Sequence, residues 1–157
     1  MRALVQRVSK ASVTVDRDEI GTICHGLVVF LGIAVDDIED DLEYLVGKIV
    51  NLRIFADVDN RFAKSALDIS ASLLIISQFT LYSDTRRGRR PSFTRSASPE
   101  RALLMFEKAI ESFKDTGLAV ESGRFQSHMM VEVHNDGPVT IMLDSADRKQ
   151  SRIWADR

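Results

Sequence analysis

Residues 2–35 read RALVQRVSKASVTVDRDEIGTICHGLVVFLGIAV, and this stretch decides the fold. Apolar and polar positions alternate along its first part, which is the pattern of strands buried on one face. The apolar run Leu27–Ile33 predicts a strand buried on both faces. Turn-forming residues at Asp16–Asp18 and at His25–Gly26 separate the segments. We therefore predict three or four antiparallel strands here.

Two amphipathic helices are predicted after these strands. Residues 37–51 begin with acids and then carry apolar residues at helical spacing. Ser98 and Pro99 are typical of the start of a second helix, and Gly117 of its end. The apolar face of the second helix is predicted to hold Leu103, Phe106, Ile110 and Phe113.

The remaining apolar segments complete the predicted order. Leu73–Ile76 predicts a short buried strand, and closing strands are predicted at Leu118–Glu121, Met129–His134 and Val139–Leu143. Strands, helix, strand, helix and strands in this order differ from the regular alternation of a doubly wound fold. The predicted fold class is α+β: antiparallel β-sheets with two main helices packed on one side (β/β/α layers), in a single domain.

Composition describes an ordinary globular chain, with 157 residues, 45% hydrophobic and 28% charged. One domain is expected over residues 1–144, followed by a polar tail at 145–157 that is either frayed or a short helix. Cys24 is the one cysteine, which excludes a disulfide scaffold within the chain and a zinc–cysteine site. Neither a signal-like segment nor a membrane-length apolar run is found, so a cytoplasmic protein is expected.

The charges are unevenly distributed although the net charge is only −2. Residues 36–43 carry six acids and no base, whereas residues 86–95 carry no acid and five arginines: Arg86, Arg87, Arg89, Arg90 and Arg95. The basic loop is either a solvated turn or a patch whose guanidinium groups bind phosphate oxygens. Five arginines give high affinity at physiological salt only with shape fit, so a structured nucleic-acid end is the expected partner in the second case.

No serine-esterase, zincin, P-loop or dinucleotide motif is present in the sequence. The three histidines, His25, His128 and His134, are expected to be structural. Ser77–Thr80 is a better candidate, because two hydroxyls and an amide directly follow a buried strand that holds them rigidly. The alternative is that these residues merely leave the core.

Asn135–Pro138 is a second candidate, although this combination of residues also predicts an ordinary turn between two strands. The peptide bond between Gly137 and Pro138 can be cis at small cost, which aims two adjacent carbonyls in nearly the same direction. Paired carbonyls can accept hydrogen bonds from an ammonium group.

Six segments, spread over about residues 1–144, match the motifs of one known family in the same order along the chain. They are MRALVQRVSKASVTV at 1–15, NLRIF at 51–55, SQFTL at 77–81, DTRRGRRPSF at 84–93, GRF at 123–125 and NDGPVT at 135–140. This set closely resembles the D-aminoacyl-tRNA deacylase family, also called D-tyrosyl-tRNA deacylase. SQFTL and NDGPVT at this separation are a highly specific pair.

The resemblance implies a homodimeric hydrolase that cleaves the ester between a D-amino acid and the 3′-terminal adenosine of tRNA. It also implies removal of glycine mischarged on tRNA-Ala and a role in chiral proofreading during translation. In the family, SQFTL surrounds the scissile ester, and the cis Gly-Pro enters the partner subunit's pocket. The implied catalytic residues are Ser77, Gln78 and Thr80. The implied substrate contacts are Phe79, Met129, Gly137 and Pro138, and the implied tRNA contacts are Arg86, Arg87, Arg89 and Arg90.

The resemblance also suggests a mechanism without metal or cofactor. The carbonyls of Gly137 and Pro138 would hold the substrate ammonium and leave no room for an L side chain, so selectivity comes from rejection. Amides near Phe79 and Thr80 would stabilise the oxyanion. No base is visible beside Thr80, so water attack assisted by the ribose 2′-hydroxyl is favoured over a Thr80 nucleophile.

The chain departs from the family's usual pattern after GRF, where many members carry a Gly-Ala-Asp-Met-like segment and this chain has Gln126-Ser127-His128-Met129. The local pocket wall is therefore expected to differ. Arg7 matches the family and is expected either to brace the Gly-Pro loop or to be an ordinary strand arginine. Three other hypotheses stay open: a relative that removes glycine or a wrong L-amino acid, a non-catalytic RNA-binding module, and a purely structural dimer.

Overall fold

The computed structural model describes residues 1–86 and 88–149. The helices and strands are β1 (Arg2–Val15), β2 (Asp18–Ile23), β3 (Gly26–Gly32), α1 (Glu39–Asn51), β4 (Phe55–Ala56), β5 (Phe62–Lys64), β6 (Ser72–Ser77), α2 (Pro99–Lys114), β7 (Val120–Ser122) and β8 (Met130–Asp144), with 3₁₀ helices at Phe79–Tyr82 and Ser145–Lys149. Arg87, a predicted tRNA contact, and residues 150–157 of the predicted tail lie outside the described residues. In the described part of the chain, no helix is long and apolar enough to cross a membrane.

β1 is a central strand of a six-stranded sheet. On one edge, its first half pairs with β3 and its second half with β2. On the other edge, β8 pairs with it along its length. All three partners are antiparallel to β1, and the alternating pattern and the two turns predicted this for β2 and β3.

β6 and β7 join the sheet in a different way. β6 lies parallel to β3, and β7 lies parallel to β6. The chain reaches β6 through α1 and β7 through α2, and such a crossover returns the next strand in the same direction. The sheet is therefore mixed rather than antiparallel throughout, while the predicted α+β class and single domain are confirmed.

β3 and β6 are buried on both faces, as the run Leu27–Ile33 predicts. On one face, Leu31 and Ile75 belong to the core that includes Phe106 of α2. On the other face, Val28 and Leu74 belong to a second core with side chains of β1 and β2. The six-stranded sheet therefore has an apolar core on each of its faces.

α2 begins as the sequence predicts, but its buried face is shifted. Pro99 occupies the first turn, and the Ser98 side chain accepts the N–H of Arg101. Leu103 was predicted to lie on the apolar face and is 36% exposed, and Ile110 is half-buried. The inward stripe consists instead of Met105, Phe106, Ala109 and Phe113, and Ala109 lies three or four residues from each of the other three.

The two predicted closing strands around the Asn-Asp-Gly-Pro segment are one continuous strand, β8. Both halves pair with β1, and this pairing overrides the local turn preference. Gln6 faces Thr140, whereas Val8 faces Asn135, so the register shifts between them. Residues 136–139 therefore form a bulge in the strand rather than a chain-reversing turn.

Candidate active site

A cavity of about 530 Å³ opens where β6 ends. Four of the predicted site residues line it: Ser77, Gln78, Phe79 and Met129. The rest of the described lining is mostly apolar, including Leu31, Ile33, Phe93 and Phe125. Among the described lining residues there is no Asp, Glu, Lys or Arg, and His128 is the one titratable side chain. Any chemistry in the cavity therefore draws on hydroxyl, amide and backbone groups and on the imidazole of His128.

The segment Ser77–Thr80 turns sharply at the cavity. The N–H of Gln78 donates to the carbonyl of Leu31 at 2.8 Å, which extends the pairing with β3 past the end of β6. The 3₁₀ helix begins at the next residue, and its turn brings Gln78 and Thr80 together, with Nε2 of Gln78 donating to Oγ1 of Thr80. Thr80 itself is exposed and lies outside the cavity lining.

Two aromatic rings form part of the cavity wall. Phe79, which is 57% exposed, packs edge-on against Phe93 with ring centroids 4.8 Å apart. Oγ of Ser96 donates to the carbonyl of Phe79 at 3.1 Å, which ties the returning chain to the 3₁₀ helix. The sequence placed Phe93 only among the arginines, and its place in the wall follows from this chain reversal. Phe79, the exposed ring of this pair, offers a stacking surface to a planar ligand.

The segment that follows β7 forms another part of the wall. The N–H of Gly123 donates to the carbonyl of Ile75 at 3.0 Å. A Cβ on Gly123 would lie 2.6 Å from Sδ of Met129, so only glycine leaves Met129 in its place. Three residues that depart from the usual family pattern also line the cavity, namely Gln126, Ser127 and His128.

Gly137 and Pro138 lie apart from this cavity. Both are exposed on the bulge of β8, and the peptide bond between them is cis. The N–H of Val139 donates to Oδ1 of Asn135 at 2.8 Å across the bulge. Gly137 has a φ of 129°, and a Cβ there would lie 2.8 Å from Cγ2 of Val139. The bulge therefore requires glycine at this position and presents the Gly-Pro segment outward.

Arg7 braces the bulge from the core side, as the resemblance implies. Its Nε donates to the carbonyl of Asp136 at 3.2 Å, and its Nη1 donates to the carbonyl of Ile54 at 2.5 Å. Nε also lies 3.3 Å from Oδ2 of Asp136. A buried guanidinium thus connects β1, the bulge and the chain after α1.

The arginine loop, residues 84–92, starts and ends beside the cavity. Asp84 and Ser92 exchange two backbone hydrogen bonds of 2.8 and 2.9 Å that close its base. Arg86, Arg89 and Arg90 are all exposed, and the guanidinium of Arg86 is paired with the Asp84 carboxylate. Because Phe93 directly follows Ser92, the loop is anchored in the cavity wall.

Two observations limit the chemistry available near the cavity. Burial, together with the charges of Asp37 and Asp144, raises the pKa of the Tyr82 phenol far above its usual value. The phenol is therefore protonated at neutral pH and is no general base. Within residues 1–86 and 88–149, no group of three or more His, Cys, Asp or Glu side chains is placed to hold a metal ion.

Comparison with known proteins places this chain in a class of deacylases. The family model described as D-Tyr-tRNA(Tyr) deacylase matches residues 4–144. The chain is 58% identical over 145 residues to the D-aminoacyl-tRNA deacylase of Fervidobacterium nodosum, which covers 92% of this chain and 97% of that protein. It is 52% identical over 146 residues to the enzyme of the same name from Clostridioides difficile, covering 93% and 98% of the two chains. The chain belongs to the D-Tyr-tRNA(Tyr) deacylase family.

Two solved structures share the fold. A protein described as c-Myc DNA Unwinding Element Binding Protein has a TM-score of 0.87 and 39% identity, covering 92% of this chain and 98% of that chain. A probable eukaryotic D-amino acid tRNA deacylase has a TM-score of 0.81 and 17% identity, covering 91% and 98%. At that lower identity, the likeness concerns the fold alone.

Proposed function

We propose that this protein hydrolyses the ester bond between a D-amino acid and the 3′-terminal adenosine of tRNA, releasing the amino acid and the tRNA. The observation that carries the proposal is the family's Ser77–Thr80 segment at the edge of a cavity of about 530 Å³. The relatives with more than half of their residues identical are named for this activity, which supports the same substrate class here.

The terminal adenosine binds against the ring pair of Phe79 and Phe93, since unstacked terminal bases pack readily on aromatic side chains. Met129 forms the wall beside it, and the ester lies against Ser77 and Gln78. The backbone N–H groups of Phe79 and Thr80 open the 3₁₀ helix, where first-turn donors have no partner within the helix. Directed at the ester, each would stabilise the oxyanion by about 3–4 kcal/mol.

Water is the nucleophile, and the ribose 2′-hydroxyl of the substrate assists its attack. The cavity's described lining offers no carboxylate, which favours assistance from the substrate. The hydrogen bond from Gln78 orients the Thr80 hydroxyl and leaves its hydrogen free to donate. In the proposed mechanism, Thr80 and Ser77 position groups rather than attack. An aminoacyl ester is already activated, so neither a metal nor another cofactor is required.

Chirality is read by a second copy of the chain. Gly137 and Pro138 are exposed and lie outside their own cavity, which favours insertion into the cavity of a partner subunit. Their carbonyls then accept the substrate ammonium and place a D side chain toward open space, while an L side chain collides with the backbone. Glycine has no side chain to reject, so glycyl-tRNA-Ala is also a substrate. The functional unit is therefore a homodimer.

The arginine loop binds the phosphates of the tRNA acceptor end, and the candidate contacts are Arg87, Arg89 and Arg90, together with Arg86 to the extent that its pair with Asp84 releases it. Its anchorage beside Phe93 supports this role, because phosphates near the terminal adenosine then fall within reach of the loop. The enzyme acts in the cytoplasm as a chiral proofreading step in translation quality control.

Release of amino acid from matched D-tyrosyl-tRNA and L-tyrosyl-tRNA, with chelator present, tests the proposal. Fast release from the D ester with the L ester spared is the expected result. Hydrolysis of both esters contradicts the chiral role of Gly137 and Pro138, and a requirement for added metal contradicts the mechanism. If neither ester is hydrolysed, the deacylase function is wrong and tRNA binding by the arginine loop remains to be measured.

A further inference from the structure

The arginine loop holds one carboxylate among its positive charges. Asp84 Oδ1 accepts the backbone N–H of Arg86 at 3.0 Å and its Nε at 2.9 Å, while Oδ2 accepts Nη2 at 2.5 Å. The guanidinium therefore meets the carboxylate in the bidentate geometry, which is the strong form of this contact. The adjacent Arg86 guanidinium and N–H hold the pKa of the Asp84 carboxyl well below its usual range. Asp84 is accordingly ionised throughout the neutral range.

The other described arginines of this region have different surroundings. Within residues 1–86 and 88–149, Arg89 and Arg90 are exposed and form no ion pair. The guanidinium of Arg95 lies over the Tyr82 ring, 5.6 Å from its centroid. Among the described arginines of the loop, Arg86 is thus the one whose charge the loop itself balances.

We propose that Asp84 is a positioning residue that withholds Arg86 from the phosphates of tRNA and thereby limits how tightly the loop retains the deacylated product. The inference rests on the proposed function, in which the loop binds acceptor-end phosphates. Arg86 is 86% exposed, so its guanidinium is free to turn toward a phosphate once the Asp84 charge is removed.

Limited phosphate affinity serves turnover. The acceptor phosphates are the same before and after hydrolysis, so a loop that binds them tightly retains product as well as substrate. Product release then limits the rate of a cycle whose chemical step on an activated ester is easy. The Asp84–Arg86 pair neutralises one positive charge of the loop. It thereby weakens the phosphate contacts that substrate and product share, without changing the cavity.

The Asp84→Asn variant is the direct test, because its Oδ1 still accepts the Arg86 backbone N–H while its charge is lost. Binding to deacylated tRNA is measured from 50 to 200 mM salt, and the logarithmic slope is expected to steepen by about 0.9, one phosphate contact. The ratio of the affinity at 50 mM salt to the affinity at 200 mM salt is therefore expected to be about threefold to fourfold larger for the variant than for the wild type. Steady-state turnover falls while the single-turnover rate is unchanged.

Two controls assign the effect to Arg86. In the Asp84→Asn/Arg86→Gln double variant, the salt slope returns to the wild-type value. Glu107→Gln removes one exposed acid from α2 and is the matched control for net charge, so it leaves the slope unchanged. An unchanged slope or weaker tRNA binding in Asp84→Asn overturns the proposal, as does a steeper slope that persists in the double variant.

Arg89→Gln separates this inference from the proposed function. If Arg89→Gln lowers the salt slope but Asp84→Asn does not raise it, the loop binds tRNA and only the role of Asp84 is wrong. If neither Arg89→Gln nor Arg90→Gln changes tRNA binding, the loop makes no phosphate contact, and both the Asp84 role and that part of the proposed function are wrong.

Discussion

Nε of Arg7 lies 3.2 Å from the carbonyl oxygen of Asp136, the residue that precedes Gly137. The Arg7 side chain is only 10% exposed, so water is poorly placed to replace it as a donor. Through Nη1 it also satisfies the carbonyl of Ile54, outside β8. The exposed Gly-Pro segment is therefore supported by a guanidinium that belongs to the core.

Arg7→Gln is expected to lower the free energy of unfolding by about 2–4 kcal/mol, because the carbonyls of Asp136 and Ile54 lose their donor. D-tyrosyl-tRNA hydrolysis is expected to fall at least tenfold at temperatures where the variant is folded. Urea unfolding and the deacylation assay measure the two effects. Gln6→Ala, the neighbouring change, removes an exposed hydrogen bond and should cost no more than about 0.5 kcal/mol. Equal stability of Arg7→Gln and wild type would show that Arg7 is no brace.

Gly137→Ala is expected to lose most deacylation activity and about 1–3 kcal/mol of stability, since its φ of 129° and the contact with Val139 both oppose a Cβ. Gly47→Ala is the matched control, because nothing lies within 4 Å of a Cβ at this position inside α1. It should stabilise the protein by about 1 kcal/mol with activity unchanged. Wild-type activity in Gly137→Ala would remove the bulge from the proposed site.

Thr80→Val is expected to reduce kcat at least tenfold, because it removes the acceptor for Gln78 and the hydroxyl at the edge of the cavity. Thr80→Ser keeps the hydroxyl and should retain most of kcat. KM is expected to change little in either variant, because Thr80 lies outside the cavity lining. Single-turnover measurements distinguish these effects, and a Thr80→Val enzyme of wild-type rate would contradict the positioning role.

Asp144 connects acid stability to the end of β8. Burial raises its pKa, but the Ala146 N–H and the Arg2 guanidinium outweigh that effect and hold the pKa below its usual value. The folded chain thus binds this proton less readily than the unfolded chain, so the stability it contributes is present above about pH 4 and is lost at lower pH. Asp144→Asn should flatten the fall in unfolding free energy below pH 4, as followed by urea titration at several pH values. A curve as steep as that of the wild type would assign the acid sensitivity elsewhere.

Specific deacylation activity is expected to decline on dilution, because the proposed site combines the cavity of one copy with Gly137 and Pro138 of another. The concentration at half-maximal activity should equal the dimer dissociation constant measured by sedimentation. Activity that is constant across the dissociation range would show that a single chain contains the whole site.

Local sequence patterns correctly predicted those strands and helix ends whose conformation depends mainly on residues nearby in the sequence. The two-sided run Leu27–Ile33, the helix start at Ser98 and the short strand before Ser77 all match the structure. Leu103 was misplaced because helix periodicity fixes the width of an apolar face but not which rows the sheet covers. The single strand β8 was missed for a similar reason, since pairing with distant β1 overrides the turn residues within it.

The residues of the candidate site also differ in whether local sequence or long-range contacts determine their positions. Ser77 ends a predictable strand and Gln78 and Phe79 follow it, so their position at one edge could be anticipated. Local patterns could not place the parts that depend on long-range contacts. Phe93 reaches the wall because residues 84 and 92 pair. Met129 was expected only from the family resemblance, and its place depends on Gly123, which leaves room for its sulfur. The Asp84–Arg86 pair was equally hidden, because composition alone counts an arginine without showing that its charge is balanced.

The strand that carries Ser77 and the strand that carries Gly137 have different numbers of bonded neighbours in the sheet, so we expect their backbones to open at different rates. β6, which delivers Ser77, has β3 and β7 on its two edges, whereas β8 within the described residues is bonded to β1 alone. In hydrogen–deuterium exchange, amides between two bonded neighbours open with the whole sheet, while those of an edge strand open locally. In the dissociated chain, the backbone around Gly137 should therefore exchange well before that of the cavity floor. In the proposed site, selection against L substrates rests on the strand that opens first, so mild heating should erode stereochemical fidelity before it erodes catalysis.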